Sequence, residues 1–162
     1  MRARLVIGAV ALIFAVAARA DFSGRVVHVH DGDTISVLVG RQELRVRLAG
    51  IDSPERYQPY GTLARRALAE MISGRNVRVT TFGRDRFGRV LGRVHLDNVD
   101  VNAEQVRRGW AWVFRRNGDA RLLALEAEAK AARRGLWQDT RALPPWEWRE
   151  RAPLPPRDVI RA

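Results

Sequence analysis

Cysteine is absent from the 162-residue chain. That excludes disulfides, thiolate metal sites and a cysteine nucleophile, and leaves stability to the core and to whatever the protein binds. Lysine is nearly absent too. Lys130 is the only one, so almost all of the 29 basic residues are arginine. Histidine occurs three times, and aromatic residues make up 7% of the chain. No internal repeat is visible. The one long apolar run, Leu5 to Ala18, falls short of the about 20 residues a membrane span needs.

What is present is a strong positive charge, +11. A balance this basic favours a polyanionic partner, nucleic acid or an anionic membrane surface. Arginine suits phosphate because its planar guanidinium can give two parallel hydrogen bonds. A hydrophobic fraction of 46% is enough for a core, and the length fits one domain with extensions.

The first twenty residues read as a secretory signal. Arg2 and Arg4 precede the apolar run, and Ala18-Arg19-Ala20 has the small-x-small form of a cleavage site. Cleavage after Ala20 is expected, giving a secreted or periplasmic protein that begins at Asp21. The alternative is an uncleaved segment that anchors the chain in a membrane. Loss of Arg2, Arg4 and Arg19 removes three positive charges and leaves the mature chain basic.

From Phe22 to Gly50 the pattern has a period of two, as half-buried strands require. Val27 and Val29 are expected inward, then Ile35, Val37 and Val39. After a Gly40-Arg41 turn come Leu44, Val46 and Leu48. Ile51 to Gly61 is a loop punctuated by Pro54, Pro59 and Gly61. A helical stripe follows at Leu63, Ala64, Ala67, Leu68, Met71 and Ile72, ended by Gly74. Arg75 to Thr81 and Val90 to His95 read as strands around an arginine-rich turn, and Asp97-Asn98 as a tight turn. Asp100 or Asn102 can cap a short helix that ends before Gly109. Trp110 and Trp112 share a strand face. Asn117-Gly118 is a turn, and Asp119 can cap a last helix with Leu122, Leu125, Ala129 and Ala132 buried and Gly135 closing it. Trp137 is expected to pack back on the core. Five of the seven prolines lie from Pro144 onward, so residues 144–162 read as an extended, weakly ordered tail. Five short strands with a helix between the third and fourth, and three helices in all, fit an OB-like β-barrel of the α+β class over residues 21–143.

Three segments carry chemistry: His30-Asp31-Gly32-Asp33-Thr34, Arg47 through Glu55, and Asp85-Arg86-Phe87-Gly88-Arg89. Asp33 and Asp52 are hard oxygen donors suited to calcium or magnesium, with water and a backbone carbonyl completing the shell. Glu55, three residues beyond Asp52, can hold a water as general base. Arg47 and Arg89, expected to face the cleft rather than the core, can clamp a phosphate whose charge grows in the transition state. Each piece has a plain structural reading too: Asp-Gly-Asp as a turn, Ser-Pro-Glu as a helix entry, strand arginines as solvated charges.

Taken in order, the motifs DGDT, RLAGIDSPE and DRFGR closely resemble the staphylococcal nuclease family, over about Phe22 to Trp137. The resemblance implies an OB-type five-stranded barrel with three helices. It implies calcium-dependent hydrolysis of DNA and RNA to products with 3′-phosphate and 5′-hydroxyl ends. It implies Asp33, Asp52 and the Ser53 carbonyl as calcium ligands, Glu55 as general base, Arg47 and Arg89 as the phosphate-binding pair, and Asp31 and Thr34 as support behind the ligands. Ser53 stands where the family often has threonine. Phe87 replaces a tyrosine of the best-known members, while Arg86 keeps a cation beside it. Arg115 falls near a position where those members carry an aromatic residue. The loop from Arg56 to Gly61 is shorter than theirs. Tyr57 and Tyr60 are candidates to stack on bases, or equally to pin the loop. A monomer with no stable protein partner is expected.

Three other readings compete with this one. His28 and His30, followed by Asp31, suggest a zinc hydrolase, but that motif needs a histidine where Asp33 stands. A non-catalytic nucleic-acid-binding OB module shares the barrel and the charge but does not need Asp33, Asp52, Glu55, Arg47 and Arg89 all at once, because acidic groups repel phosphate. A basic membrane-surface protein would need a strongly amphipathic basic helix, which the chain lacks. Trp146 and Trp148 in the tail suit packing on the barrel and contact with a partner equally.

Overall fold

A computed structural model describes residues 21–114 and 119–151. The expected signal segment, the turn expected at Asn117-Gly118, Arg115 and residues 152–162 lie outside the described residues. The elements in chain order are β1 (Phe22–Val29), β2 (Thr34–Val39), β3 (Gln42–Leu48), β4 (Ile51–Asp52), α1 (Gly61–Ile72), β5 (Asn76–Arg84), β6 (Val90–Leu96), β7 (Val99–Asp100), α2 (Val101–Arg107), β8 (Trp112–Val113), α3 (Ala120–Ala131), a single 3₁₀ turn (Gly135–Gln138) and α4 (Pro145–Arg151).

Strands β1, β2 and β3 form an antiparallel meander, and β5 and β6 a hairpin beside β1. A parallel pairing of β3 with β6, Val46 opposite Val90 and Leu48 opposite Gly92, joins the two ends. The five long strands thus close into a barrel, in the order expected of an OB-type fold. Closure leaves these strands no free edge. The alternating residues fill the interior: Ile35, Val37, Val46, Leu48, Val79 and Val94 are all fully buried. Gly92 on β6 leaves room for the barrel interior, because a Cβ there would meet Val79 Cγ1 of β5 at 2.6 Å and Val46 Cγ1 of β3 at 3.3 Å.

The parity of β1 differs from the sequence reading. Val26 and Val29 point inward and Val27 is exposed. A β-bulge between Val26 and His28 inserts one extra residue and shifts the alternation. His28 and His30 still come together, with ring centroids 4.4 Å apart on the outer side. His30 Nε2 lies 2.9 Å from Ser36 Oγ.

Helix α1 ends as expected, with Gly74 at φ 71°. Asp100 caps α2 by accepting from the Ala103 N–H, and Asp119 caps α3 by accepting from Arg121. In α3 Leu122 and Ala129 are buried, Leu125 is half-buried and Ala132 is exposed beyond the helix end. Trp137 packs edge-on against Trp112 at 5.1 Å.

Asn102, read as a possible cap, instead bolts α2 to the barrel. Its Nδ2 donates to the carbonyls of Ala49 and Gly92, and its Oδ1 accepts from the Val94 N–H. The tail also departs from expectation. Residues 145–151 form a fourth helix rather than extended chain. Pro145 is buried at its first turn, where a fixed φ and a missing N–H suit a helix start. Gln58 Nε2 donates to the Leu143 carbonyl at 2.6 Å and so ties the approach to α4 against the loop after β4.

Candidate active site

One end of the barrel carries an open cleft of about 1230 Å³, and all three chemistry-bearing segments reach it. Asp33 sits at the entry to β2. Asp52 lies on β4, which pairs with β8 so that Asp52 faces Trp112 in register. Glu55 follows on the loop. Arg47 comes from β3, and Arg86 and Arg89 from the β5–β6 turn. That turn folds around Asp85, whose carboxylate accepts from the Phe87 and Arg89 N–H groups.

Asp33 and Asp52 are buried, 4% and 3% exposed. Arg47 lies between them, its Nη1 3.1 Å from Asp33 Oδ2 and its Nη2 2.8 Å from Asp52 Oδ1. It also donates to the carbonyls of Leu48 and Ile51. Its side chain is only 15% exposed. Arg47 lines the cleft, and it is at the same time part of the buried framework beneath it. Buried charges are tolerable only when paired, and Arg47 is the partner both carboxylates need.

Around Asp33 the loop is tightly organised. Thr34 Oγ1 donates to its Oδ1, and the Ser53 N–H donates to its Oδ2 at 2.7 Å. Asp31 Oδ1 accepts from the Asp33 N–H. Gly32 allows this closeness, because a Cβ there would lie 2.7 Å from Ser53 Oγ. Gln105, fully buried on α2, donates to the Gly32 carbonyl at 2.8 Å and holds the loop from below. Burial, then the charge and a side-chain hydrogen bond of neighbouring Asp33, push the Asp31 carboxyl up to about 8, against the opposing pull of Arg47. Burial also raises Asp52, opposed by its hydrogen bond to Arg149 and reinforced by Asp33.

Arg89 lines the cleft from the β5–β6 turn. Its Nε bonds to Asp85 Oδ2 at 2.7 Å, and among the described residues its terminal amino groups carry no hydrogen bond. Burial of Asp85 opposes its ionisation, but the hydrogen bonds from Arg89 and the turn amides prevail and hold it below the usual carboxylate range. Phe87 is 67% exposed, with Arg86 and Arg89 over its ring at 4.8 and 5.5 Å. Tyr57 and Tyr60 do not line the cleft. Tyr57 is exposed under Arg56, and Tyr60 adopts φ 70° as the residue before α1. The structure thus brings Asp31, Asp33, Arg47, Asp52, Ser53, Glu55, Arg86 and Arg89 together and leaves the two tyrosines outside.

The sequence reading missed four residues. Gln58, Asn102 and Gln105 are buried amides that position the site loops, and single polar residues inside apolar patterns give no signal of a partner. Arg149, on α4, bonds Glu55 Oε1 at 2.6 Å and Asp52 Oδ2 at 2.8 Å. Burial works against its charge, but the bonds to Asp52 and Glu55 outweigh that and raise its pKa.

The donor set suits a hard cation. It offers two buried carboxylates and no sulfur, and the buried Ser53 Oγ has no hydrogen-bond partner. Among the described residues no group of three or more acidic or histidine side chains gathers at one point. Asp33 and Asp52, with the Ser53 carbonyl, would be the protein's share of a shell completed by water.

Comparison with known proteins agrees with this arrangement. Residues 45–139 match the sequence profile of the family described as staphylococcal nuclease homologue. An uncharacterized endonuclease of Escherichia coli is 47% identical over 134 residues, covering 82% of this chain and 88% of its own. A micrococcal nuclease of Shigella flexneri is 46% identical over 158 residues, covering 90% and 91%. Protein ParB of Escherichia coli is 45% identical over 150 residues, covering 85% of each. The profile spans the Arg47–Glu55 and Asp85–Arg89 motifs, and the relatives extend the likeness over most of the chain. With a closed five-stranded barrel and these motifs meeting in one cleft, the chain belongs to the staphylococcal nuclease family.

Proposed function

We propose that this nuclease is a calcium-dependent phosphodiesterase that hydrolyses DNA and RNA to products with 3′-phosphate and 5′-hydroxyl ends. One observation carries the reading: Asp33, Asp52, Glu55, Arg47 and Arg89, drawn from separated segments, converge on one cleft. Calcium held by Asp33, Asp52 and the Ser53 carbonyl would offset the charge of the bound phosphodiester. Glu55 accepts the proton of the water whose oxygen attacks phosphorus. The bond from phosphorus to the 5′ oxygen then breaks, and that oxygen takes up a proton to leave as a hydroxyl. The terminal amino groups of Arg89 grip the phosphate as its charge rises, a bidentate contact that is strongest in the transition state. Arg47 fixes both carboxylates in position. Asp31, Thr34 and Gln105 hold the Asp33 loop so that little reorganisation is needed. Recognition through phosphate leaves base identity almost unread, which favours broad substrate range and unpaired strands.

A non-catalytic binding module is disfavoured because buried carboxylates oppose phosphate and give such a module no benefit. Export with cleavage after Ala20, and action as a monomer, belong to the same proposal. The test is a nuclease assay with single-stranded DNA, duplex DNA and RNA, in calcium and then in excess chelator, with the product ends identified by direct 5′ phosphorylation. Cleavage is expected only with calcium, and products should accept label without prior dephosphorylation. Undiminished cleavage in chelator would refute the cation role of Asp33 and Asp52.

A further inference from the structure

Every oxygen of the two proposed ligand carboxylates is engaged. Asp33 takes Thr34, Ser53 and Arg47, and Asp52 Oδ1 takes Arg47. Those partners are built into the barrel and its loops. The remaining oxygen, Asp52 Oδ2, is held by Arg149, which arrives from the far end of the chain and also holds Glu55 Oε1. One guanidinium thus covers a ligand atom and the proposed base together. It is the natural electrostatic substitute for a cation, since it brings one positive charge to two carboxylates that would otherwise repel.

The attachment is specific yet releasable. Gln58 accepts from the Glu55 N–H with Oε1 and donates to the Leu143 carbonyl with Nε2, so it ties the base loop and the start of α4 together. Buried Pro145 stands one helical turn before Arg149 on the same face. The Arg149 side chain is 46% exposed, in contrast to the 15% of Arg47. Solvent can therefore replace its bonds at small cost, whereas Arg47 cannot leave without stranding the buried charge of Asp33.

We propose that α4 is a latch, in which Arg149 competes with the divalent cation for Asp52 and with the attacking water for Glu55, and so sets the cation concentration at which the nuclease turns on. The proposal rests on the cation reading above. A site that is open only part of the time has its affinity lowered by that fraction, so removing the latch must tighten binding.

The test uses the full chain with Arg149→Gln, which keeps a long polar side chain but removes the charge and the fork. Arg151→Gln is the control, because Arg151 lies on the same helix and among the described residues bonds only Glu147. Calcium binding is measured by calorimetry without substrate, and half-saturating calcium is measured in the cleavage assay. Arg149→Gln should bind calcium at least about tenfold more tightly and reach half-maximal cleavage at correspondingly lower calcium. Arg151→Gln should match the wild type. In the wild-type chain, calcium should also speed amide hydrogen exchange across residues 145–151, a readout that needs no variant. Unchanged or weaker calcium binding by a folded Arg149→Gln protein, or unchanged exchange at saturating calcium, overturns the latch while leaving calcium-dependent cleavage intact. Absence of calcium binding in both proteins overturns the latch together with the reading beneath it.

Discussion

Arg47 and Arg89 look interchangeable in the sequence, yet they do different things. Arg47 ties two buried carboxylates together, whereas Arg89 is anchored through its Nε to Asp85 and lies over the Phe87 ring. Alanine at Arg89 should therefore cut turnover by roughly 10²–10³ with little loss of stability, and lysine there should not restore it, because an ammonium cannot make the forked contact. Alanine at Arg47 should lose activity and also about 3–5 kcal/mol of stability, by leaving buried Asp33 without a charge partner and Asp52 with Arg149 alone. Glutamine at Glu55 should cost about 10²–10⁴ in turnover with the fold intact. Denaturant midpoints beside turnover numbers decide the matter: an Arg47→Ala protein as stable as wild type would remove its framework role. Asp31 supplies a second expectation. Its folded-state pKa, about 8, lies above the ordinary carboxylate value, so the folded form binds this proton more tightly than the unfolded chain does. The resulting stability is fully present below about pH 4 and is lost as pH rises through 8. Asp31→Asn keeps an acceptor for the Asp33 N–H but cannot ionise. In chelator, its melting temperature should equal that of wild type near pH 4 and exceed it increasingly toward pH 8. A constant gap would mean that neither burial nor the charge of Asp33 raises the Asp31 carboxyl in the folded protein.

Among the elements, what could be read in advance follows from how local each cause is. Strand alternation outside β1, the Gly40-Arg41 and Asp97-Asn98 turns, the Asp100 and Asp119 caps and the Gly74 stop are decided by neighbours in sequence, and the structure has them. The barrel order and the three site motifs were legible because their residue types have few other uses in that combination. The β1 bulge was not, since an extra residue leaves no mark until the strand meets its partners. Helix α4 was hidden by proline content. Pro144 and Pro145 read as breakers, but a proline at the first position of a helix starts it, and the docking that stabilises so short a helix comes from Gln58 and the site carboxylates more than 80 residues away. Asn102 and Gln105 belong to the same class. Their partners lie on other elements, so helical periodicity assigns them only a buried face.

For the whole molecule, the net charge of +11 invites the idea of a diffuse positive surface that holds nucleic acid everywhere. The structure argues for a narrower footprint. Many arginines are already spent inside the protein: Arg47 and Arg149 on the site carboxylates, Arg93 on Asp100 and Asp119, Arg107 and Arg108 on Glu104. The cleft keeps few cations for phosphate, chiefly Arg86 and Arg89 beside exposed Phe87, with Arg45 close to them. Binding of a single strand releases about 0.7 counterion per neutralised phosphate. If all of the net charge acted, log affinity would fall against log salt with a slope near roughly −8; if three or four cleft arginines act, the slope is about −2 to −3. The measurement is the affinity of Glu55→Gln for a labelled single-stranded oligonucleotide in chelator, across about 50–400 mM salt, where phosphate contacts dominate. We expect the shallow slope, and Arg86→Gln should reduce it by nearly one contact while leaving the fold intact. A flat response would refute phosphate-led binding, and a slope near −8 would refute the local footprint and return the substrate to the whole basic surface.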